Sequence, residues 1–224
     1  MKVAIIKYNA GNIYSVYCAC KRLGHDAIIT DDPVVIRQAD RVIFPGVGEA
    51  RAAMQHLNRT GLSEVIRGLR QPVLGICIGM QLLCRHSEEG DVDCLGIFDV
   101  PVIRFRPSSR NYKVPQMGWN TIERFKGLLP KAESEESEEA DKFEGCERTS
   151  ETGNPNPLFI NLHEGDYVYY VHSFHVPICP YTIAQTDYDG FYSAALHKDN
   201  FWATQFHPEK SGPVGEQILR NFLS

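Results

Sequence analysis

The sequence predicts a single α/β domain, built on a mixed, mainly parallel sheet with helices on its faces. In the first half of the chain, short apolar runs alternate with helix-like segments, which is typical of parallel strands joined by crossover helices. In the second half the apolar runs follow one another closely, which favours antiparallel hairpins. A chain of 224 residues is long enough for one well-buried domain and short for two.

The first half therefore contains the strand-helix alternation. Asn12 stands where it would cap a helix that ends at Gly24. Pro33 suits the first turn of a short helix, and another helix begins near Glu49. The strands are predicted at residues 3–6, 27–29, 42–44 and 73–76.

The second half completes the sheet and the domain. A C-terminal helix is expected at residues 215–222. The closely spaced strands are predicted at residues 100–105, 167–171, 184–186, 193–196 and 202–205.

Composition excludes several function classes. The chain has 23 basic and 28 acidic residues, but nine of the acidic and three of the basic ones lie between Lys131 and Glu151. The remainder is nearly neutral, so nothing favours nucleic acid binding. Seven cysteines without zinc spacing predict no metal site, and no cofactor is expected. The absence of a signal-like or membrane-length apolar run predicts a cytoplasmic protein that does not bind a membrane.

The most informative segment is residues 72–81. A short apolar run leads to Cys77, which has a glycine two positions away on each side, and a helix-compatible segment follows. This is a cysteine version of the nucleophile elbow, a sharp strand-to-helix turn that exposes the reactive atom. A buried structural cysteine is the alternative.

A base for such a nucleophile is present near the C-terminus. His207 can hold the sulfur as thiolate and later protonate a leaving amine, and Glu209 can orient the imidazole across Pro208. Without the elbow, this His-Pro-Glu tripeptide would suit a surface loop. Together the two segments predict a Cys-His-Glu triad assembled in space.

These motifs resemble the class I glutamine amidotransferases, and the resemblance covers nearly the whole chain except residues 131–157. Further matches resemble the glutaminase subunits of imidazole glycerol phosphate synthases, from histidine biosynthesis. They are residues 8–16, 45–48 with 53–54, 114–120 and 171–174. The implied fold is flavodoxin-like, and the implied reaction is hydrolysis of glutamine to glutamate and ammonia.

The resemblance also implies roles for individual residues. The backbone N–H groups of Val47 and Ile78 would form the oxyanion hole. Substrate-binding positions are implied for Gly48, Gln81, Glu89, Ser173 and Phe174. From the residues alone, Gln81 could equally lie on a helix surface, Glu89 in a solvated charge run and His172 in the core.

A partner is implied as well. In the family, ammonia passes into a (β/α)8-barrel cyclase that makes imidazole glycerol phosphate and an aminoimidazole carboxamide ribotide. The corresponding heterodimer interface would include Asn12, Trp119, Asn120, Tyr169 and Lys210. Gly118 and Asn120 favour an exposed turn around Trp119.

Residues 131–157 depart from the family pattern. Their Glu and Ser content and scarcity of apolar residues predict a flexible acidic insertion in the domain formed by residues 1–224. Alternative functions remain at this point: a glutaminase subunit of another ammonia-channelling synthase, an autonomous cysteine hydrolase, or a catalytically silent binding module.

Overall fold

The computed structural model describes residues 1–8, 11–123 and 156–224. Its helices are α1 Ile13–Arg22, α2 Pro33–Gln38, α3 Ala50–Thr60, α4 Leu62–Arg67, α5 Ile78–Leu83 and α6 Gly212–Leu223, with 3-10 turns at Pro157–Phe159 and Pro208–Lys210. Its strands are β1 Lys2–Ile6, β2 Asp26–Thr30, β3 Arg41–Phe44, β4 Val73–Ile76, β5 Cys84–Ser87, β6 Val92–Asp93, β7 Phe98–Arg104, β8 Gln116–Thr121, β9 Tyr167–His172, β10 Phe174–His175, β11 Thr182–Asp187, β12 Phe191–Lys198 and β13 Phe201–Thr204.

The main sheet has seven strands in the order β11-β12-β13-β4-β3-β1-β2. Strands β2, β1, β3, β4 and β13 run parallel to one another, and β12 and β11 extend the sheet beyond β13 through the antiparallel pairs β12–β13 and β11–β12. The predicted mixed, mainly parallel sheet is therefore confirmed. The central strands β3 and β4 are buried on both faces, which explains their uninterrupted apolar sequences.

Two smaller sheets stand apart from the main one, and the sequence pattern does not predict them as separate units. Strands β10, β7, β5 and β6 form one, and the hairpin-like pair β8–β9 forms the other. In β8–β9, Trp119 pairs with Tyr169 across the strands. The expectation of a turn at Trp119 is wrong, because the residue lies within a strand, whereas its expected exposure is confirmed at 56%.

Local capping explains where the helices begin. The Asp32 carboxylate accepts a hydrogen bond from the Val34 N–H at 2.8 Å, with Pro33 in the first turn. Glu49 accepts from two N–H groups at the start of α3. Each such cap stabilises a helix by about 1 kcal/mol.

The hydrophobic core lies on both faces of the main sheet. One cluster includes Phe44, Met54 and Leu83, and the other includes Leu74 and Tyr170. Fully burying an aliphatic or aromatic side chain contributes roughly 1.5–3 kcal/mol. These two layers fix the position of β4, whose carboxyl end carries Cys77.

Most of the predicted insertion, at residues 131–155, lies outside the described residues. At its end, the Asn156 side chain accepts from the Leu158 N–H at 3.0 Å and caps the turn that begins at Pro157. Within the described part of the chain, no helix is both long and apolar enough to cross a membrane.

Candidate active site

Cys77 lies at the turn between β4 and α5, as predicted. Its φ and ψ angles are 54° and −109°, a conformation that costs a non-glycine residue on the order of 1–3 kcal/mol. The turn is held by the Cys77 N–H, which donates to the Thr204 carbonyl at 2.8 Å. The structure therefore has the strained geometry of a nucleophile elbow.

Two glycines allow the strand and helix to approach at this turn. A Cβ on Gly79 would overlap the Phe44 carbonyl, and a Cβ on Gly75 would lie 2.8 Å from Cδ1 of Leu83. Neither position has room for a side chain. Close packing therefore explains the glycine on each side of Cys77.

The His207–Glu209 contact expected from the sequence is present in the structure. His207 Nδ1 donates to Glu209 Oε1 at 2.9 Å, and both side chains are buried. Burial alone would lower the pKa of His207, but the Cys77 thiolate and the Glu209 carboxylate raise it to about 10. The buried Nε2 atom has no hydrogen-bond partner among the described residues. The imidazolium is thus stabilised next to the sulfur.

Two further groups contact the sulfur. Cys77 Sγ lies 3.9 Å from the Val171 carbonyl, which can accept from the thiol, and 3.8 Å from Gln205 Nε2, which can donate to the thiolate. Gln205 is fixed in turn by Gln81, whose Nε2 donates to Gln205 Oε1 and to the Phe174 carbonyl, both at 3.0 Å. Sequence reasoning missed Gln205, although it directly precedes the Phe206-His207 pair.

The predicted oxyanion and substrate residues come together around one cleft with the nucleophile. The cleft is lined by Val47, Gly48, Cys77, Ile78, Gln81, Glu89, Val171, His172, Ser173 and Phe174. A larger depression lies around Trp119, between Tyr112, Gln116 and Asp187, and contains no nucleophile. The cleft at Cys77 is therefore the candidate active site.

Several cleft residues already have contacts within the protein. The Val47 carbonyl accepts from the Gly11 N–H at 3.1 Å. Glu89 accepts from the Ala50 N–H at 3.0 Å, and burial raises the pKa of its carboxyl. Gln81 is 3% exposed, so the helix-surface alternative for it is wrong.

His172 has the opposite environment to His207. Its Nδ1 contacts the Phe174 carbonyl at 2.7 Å and its Nε2 lies 3.3 Å from the Tyr192 hydroxyl. Burial lowers the pKa of His172 to about 3. His172 is therefore a neutral core histidine that anchors the Phe174 segment.

Three of the five residues expected at a partner interface, Trp119, Tyr169 and Lys210, form a continuous row. The rings of Trp119 and Tyr169 are 6.0 Å apart, and Lys210 Nζ lies 5.9 Å from the Tyr169 ring. Asn120 donates to the Asp187 carbonyl at 2.9 Å.

The described residues contain no group of three or more His, Cys, Asp or Glu side chains arranged to hold a metal ion.

Asn12 differs from its expected role as a helix cap. It occupies the position before α1, but its side chain caps no backbone N–H. Instead, Asn12 Nδ2 donates to Glu209 Oε1 at 2.7 Å, and Asn12 Oδ1 accepts from the Ser15 hydroxyl at 2.6 Å. The side chain is thus joined to the His207–Glu209 pair.

Fold and site together define a class of protein, and comparison with known sequences agrees. Residues 6–224 match the family described as "Glutamine amidotransferase class-I". Two solved structures share the fold: a glutamine amidotransferase (TM-score 0.66, 16% identity, 99% of this chain and 96% of that one) and PurLQS from Thermotoga maritima (TM-score 0.65, 16% identity, 99% and 97%). At these identities, they support the fold alone.

Relatives with higher sequence identity define the subfamily. The chain is 56% identical over 224 residues to "Imidazole glycerol phosphate synthase subunit HisH" of Bacteroides thetaiotaomicron, covering 100% of this chain and 99% of the relative. The protein of the same name from Yersinia pestis is 42% identical over 224 residues, with the same coverage. The chain therefore belongs to the class I glutamine amidotransferases and, within them, to the HisH family.

Proposed function

We propose that this chain hydrolyses glutamine to glutamate and ammonia, and that it supplies the ammonia to the cyclase subunit of a cytoplasmic imidazole glycerol phosphate synthase in histidine biosynthesis. The observation that carries the proposal is a strained Cys77 turn that lines the cleft, with the buried His207–Glu209 pair next to its sulfur. Family membership supports the reaction and the pathway.

The first half of the reaction forms a thioester. The Cys77 thiolate attacks the side-chain carbonyl carbon of glutamine, and the negative charge moves to the carbonyl oxygen. N–H groups of Ile78 and Val47 would stabilise this oxyanion, a contribution of about 3–4 kcal/mol per donor in well-aimed sites. His207 then donates its proton to the departing nitrogen, so ammonia leaves and a γ-glutamyl thioester remains.

The second half releases glutamate. His207, now neutral, accepts a proton from water as the water attacks the thioester. The tetrahedral intermediate collapses, the carbon–sulfur bond breaks, and the Cys77 thiolate is regenerated beside the imidazolium. Glu209 transfers no proton; it holds the Nδ1–H side of the ring so that Nε2 faces the reaction.

The remaining cleft residues would bind the amino-acid end of the substrate. Glu89 supplies a carboxylate for the substrate ammonium group. Gly48, Ser173 and Phe174 offer backbone groups, and Gln81 keeps the Phe174 carbonyl and Gln205 in fixed positions.

The cyclase would cover the exposed aromatic row beside the triad. Trp119, Tyr169 and Lys210 are contiguous, and Met117 on the same strand is 66% exposed. Large exposed apolar side chains in one patch are typical of a protein interface. Asn12 and Asn120 complete this surface in the proposal.

Partner binding would also control the rate. In the structure, the Val47 carbonyl is held by the Gly11 N–H, and Val47 lies between two glycines that allow the peptide planes to reorient. A cyclase that binds one loop form better would shift the population toward it. The isolated chain is then expected to hydrolyse glutamine slowly, because free ammonia is wasted without an acceptor.

The experiment compares glutamate release by the chain alone, with cyclase, and with cyclase plus its nucleotide substrate. The expected result is a stepwise rise in rate. A mixture in which this chain carries Cys77→Ala is the control that assigns the glutamate to Cys77. Full activity of the isolated chain, unchanged by either addition, would contradict the proposal and favour an autonomous amidase.

A further inference from the structure

The buried carboxylate of Glu209 is held by two side chains that come from opposite ends of the sequence. His207 Nδ1 donates to Oε1 at 2.9 Å, and Asn12 Nδ2 donates to the same oxygen at 2.7 Å. The Glu209 side chain is fully buried, and Oε2 has no hydrogen-bond partner among the described residues. The two bonds to Oε1 therefore fix the orientation of the carboxylate within the described structure.

Asn12 is itself held so that its amide faces Glu209. Ser15 donates to Asn12 Oδ1 at 2.6 Å, which leaves the NH₂ group for the carboxylate. The reversed amide would place two acceptor oxygens against each other. The left-handed backbone of Asn12, with φ of 63°, directs the side chain away from the helix cap and toward the triad.

From this geometry we infer that Asn12 is a positioning residue of the active site: it orients Glu209 and, through Glu209, the imidazole of His207. The inference rests on the proposed function of the triad. A buried carboxylate that loses a donor loses part of the compensation for its lost hydration. It can then rotate, and the His207 ring with it.

The structure also indicates why asparagine is suited to this position. Aspartate has the same shape and tolerates positive φ, but its ionised carboxylate would repel Glu209. When the pair of carboxylates shares one proton, the introduced aspartate could donate to Glu209 as asparagine does. The Asn12→Asp variant should therefore acquire a pH dependence that a residue with only a packing role would not produce.

The test measures kcat and KM for glutamate release across pH, at saturating cyclase, with the unaltered chain, Asn12→Gly and Asn12→Asp. Glycine accepts the positive φ, so backbone strain is avoided. Asn12→Gly is expected to lower kcat about 10- to 100-fold at every pH, with little change in KM. At the acidic end of the pH range, the kcat of Asn12→Asp should approach that of the unaltered chain. As the pH rises, the kcat of the variant should fall relative to that of the unaltered chain. Asn58→Asp, the same substitution at an exposed position of α3, is the matched control and should change neither kcat nor its pH dependence.

A double-mutant cycle then tests whether Asn12 acts through Glu209. In a Glu209→Ala background, Asn12→Gly should have little further effect on kcat, since the carboxylate that Asn12 positions is already gone. Iodoacetamide alkylation of Cys77 in the isolated chain is a partner-free measurement, and Asn12→Gly should slow it.

The possible failures are distinct. Unaltered kcat and pH profiles in both Asn12 variants, or fully additive losses in the cycle, would overturn the inference while leaving the proposed function intact. An absence of glutamate release from the unaltered chain with cyclase would instead refute the proposed function itself.

Discussion

His207 and His172 are two buried histidines near the same cleft, and their surroundings give them opposite charge preferences. His207 faces a thiolate and a carboxylate, which raise its pKa to about 10, whereas burial lowers the pKa of His172 to about 3. His172 contacts a backbone carbonyl and a tyrosine hydroxyl. Neutral partners do not offset the cost of burying a charged ring.

The difference shows that the residue type alone does not identify a catalytic base. Both histidines follow or end apolar strands, and both are buried. Of the two, only His207 combines a carboxylate on Nδ1 with a thiolate beside the ring. That arrangement permits repeated proton transfer, whereas both nitrogens of His172 are already in contact with neighbours.

The largest expected effect separates the two histidines directly. His207→Asn should lower kcat by about 10⁴-fold or more, because the proton donor and acceptor is lost. His172→Gln should change kcat by about threefold or less and act mainly on KM, through the Phe174 segment. Steady-state glutamate release checks both. Comparable losses of kcat in the two variants would mean that His172 takes part in the chemistry.

The parts of the site differ in how well they can be predicted from the sequence. Cys77 is defined by local signals, since the glycines and the apolar run lie within a few residues of it. His207 and Glu209 are predictable because they are close in sequence and chemically suited to each other. Asn12 and Glu209 are separated by 197 positions, and only the packing of α1 beside the Pro208 turn brings them together.

Gln205 and Trp119 also have contacts that the local sequence does not predict. The position of Gln205 directly after β13 is predictable from sequence, but its contact with the sulfur depends on Gln81. The glycine and asparagine neighbours of Trp119 favour a turn. Its pairing with Tyr169 places it in a strand instead, since cross-strand contacts outweigh weak local preferences.

Glu209→Gln should have a smaller effect than His207→Asn. The replacement keeps the shape of the side chain but removes the charge that stabilises the imidazolium, so kcat is expected to fall about 10²- to 10⁴-fold. The measurement is glutamate release at saturating glutamine and cyclase. A loss equal to that of His207→Asn would indicate that Glu209 does more than orient and stabilise the ring.

The neutral histidine should be visible in the pH dependence of stability. Burial lowers the pKa of His172 from 6.5 to about 3 and that of His175 to about 4. The unfolded chain binds protons at these positions near pH 6.5 and the folded chain does not. Their contribution to stability is therefore present above pH 6.5 and is lost as the pH falls, by up to about 1.4 kcal/mol per pH unit for each group.

Urea unfolding between about pH 7 and 5 checks this sign. In His172→Gln, the free energy of unfolding should decline less steeply as the pH falls. His163→Gln, at a side chain that is 82% exposed, is the matched control and should leave the slope as it is. A slope unchanged in His172→Gln would show that His172 becomes protonated in the folded state.

The smallest effect concerns the hydroxyl group that contacts His172. Tyr192 donates to Gln116 Oε1 at 2.9 Å within the core, so Tyr192→Phe leaves that oxygen without this donor. The free energy of unfolding should fall by about 1–2 kcal/mol, with little change in kcat. Tyr14→Phe, at an exposed tyrosine, should be neutral in the same chemical unfolding experiment. A stability loss in Tyr14→Phe as large as that in Tyr192→Phe would contradict the assigned contacts.

The central claim is that Cys77 is the nucleophile of a glutaminase. Acid quenching during glutamine turnover by the chain with cyclase, followed by peptide mass spectrometry, tests it most directly. The account predicts a γ-glutamyl thioester on Cys77 and on none of the other six cysteines of the chain. A glutamyl adduct on a different cysteine would contradict it, as would turnover that continues undiminished in Cys77→Ser.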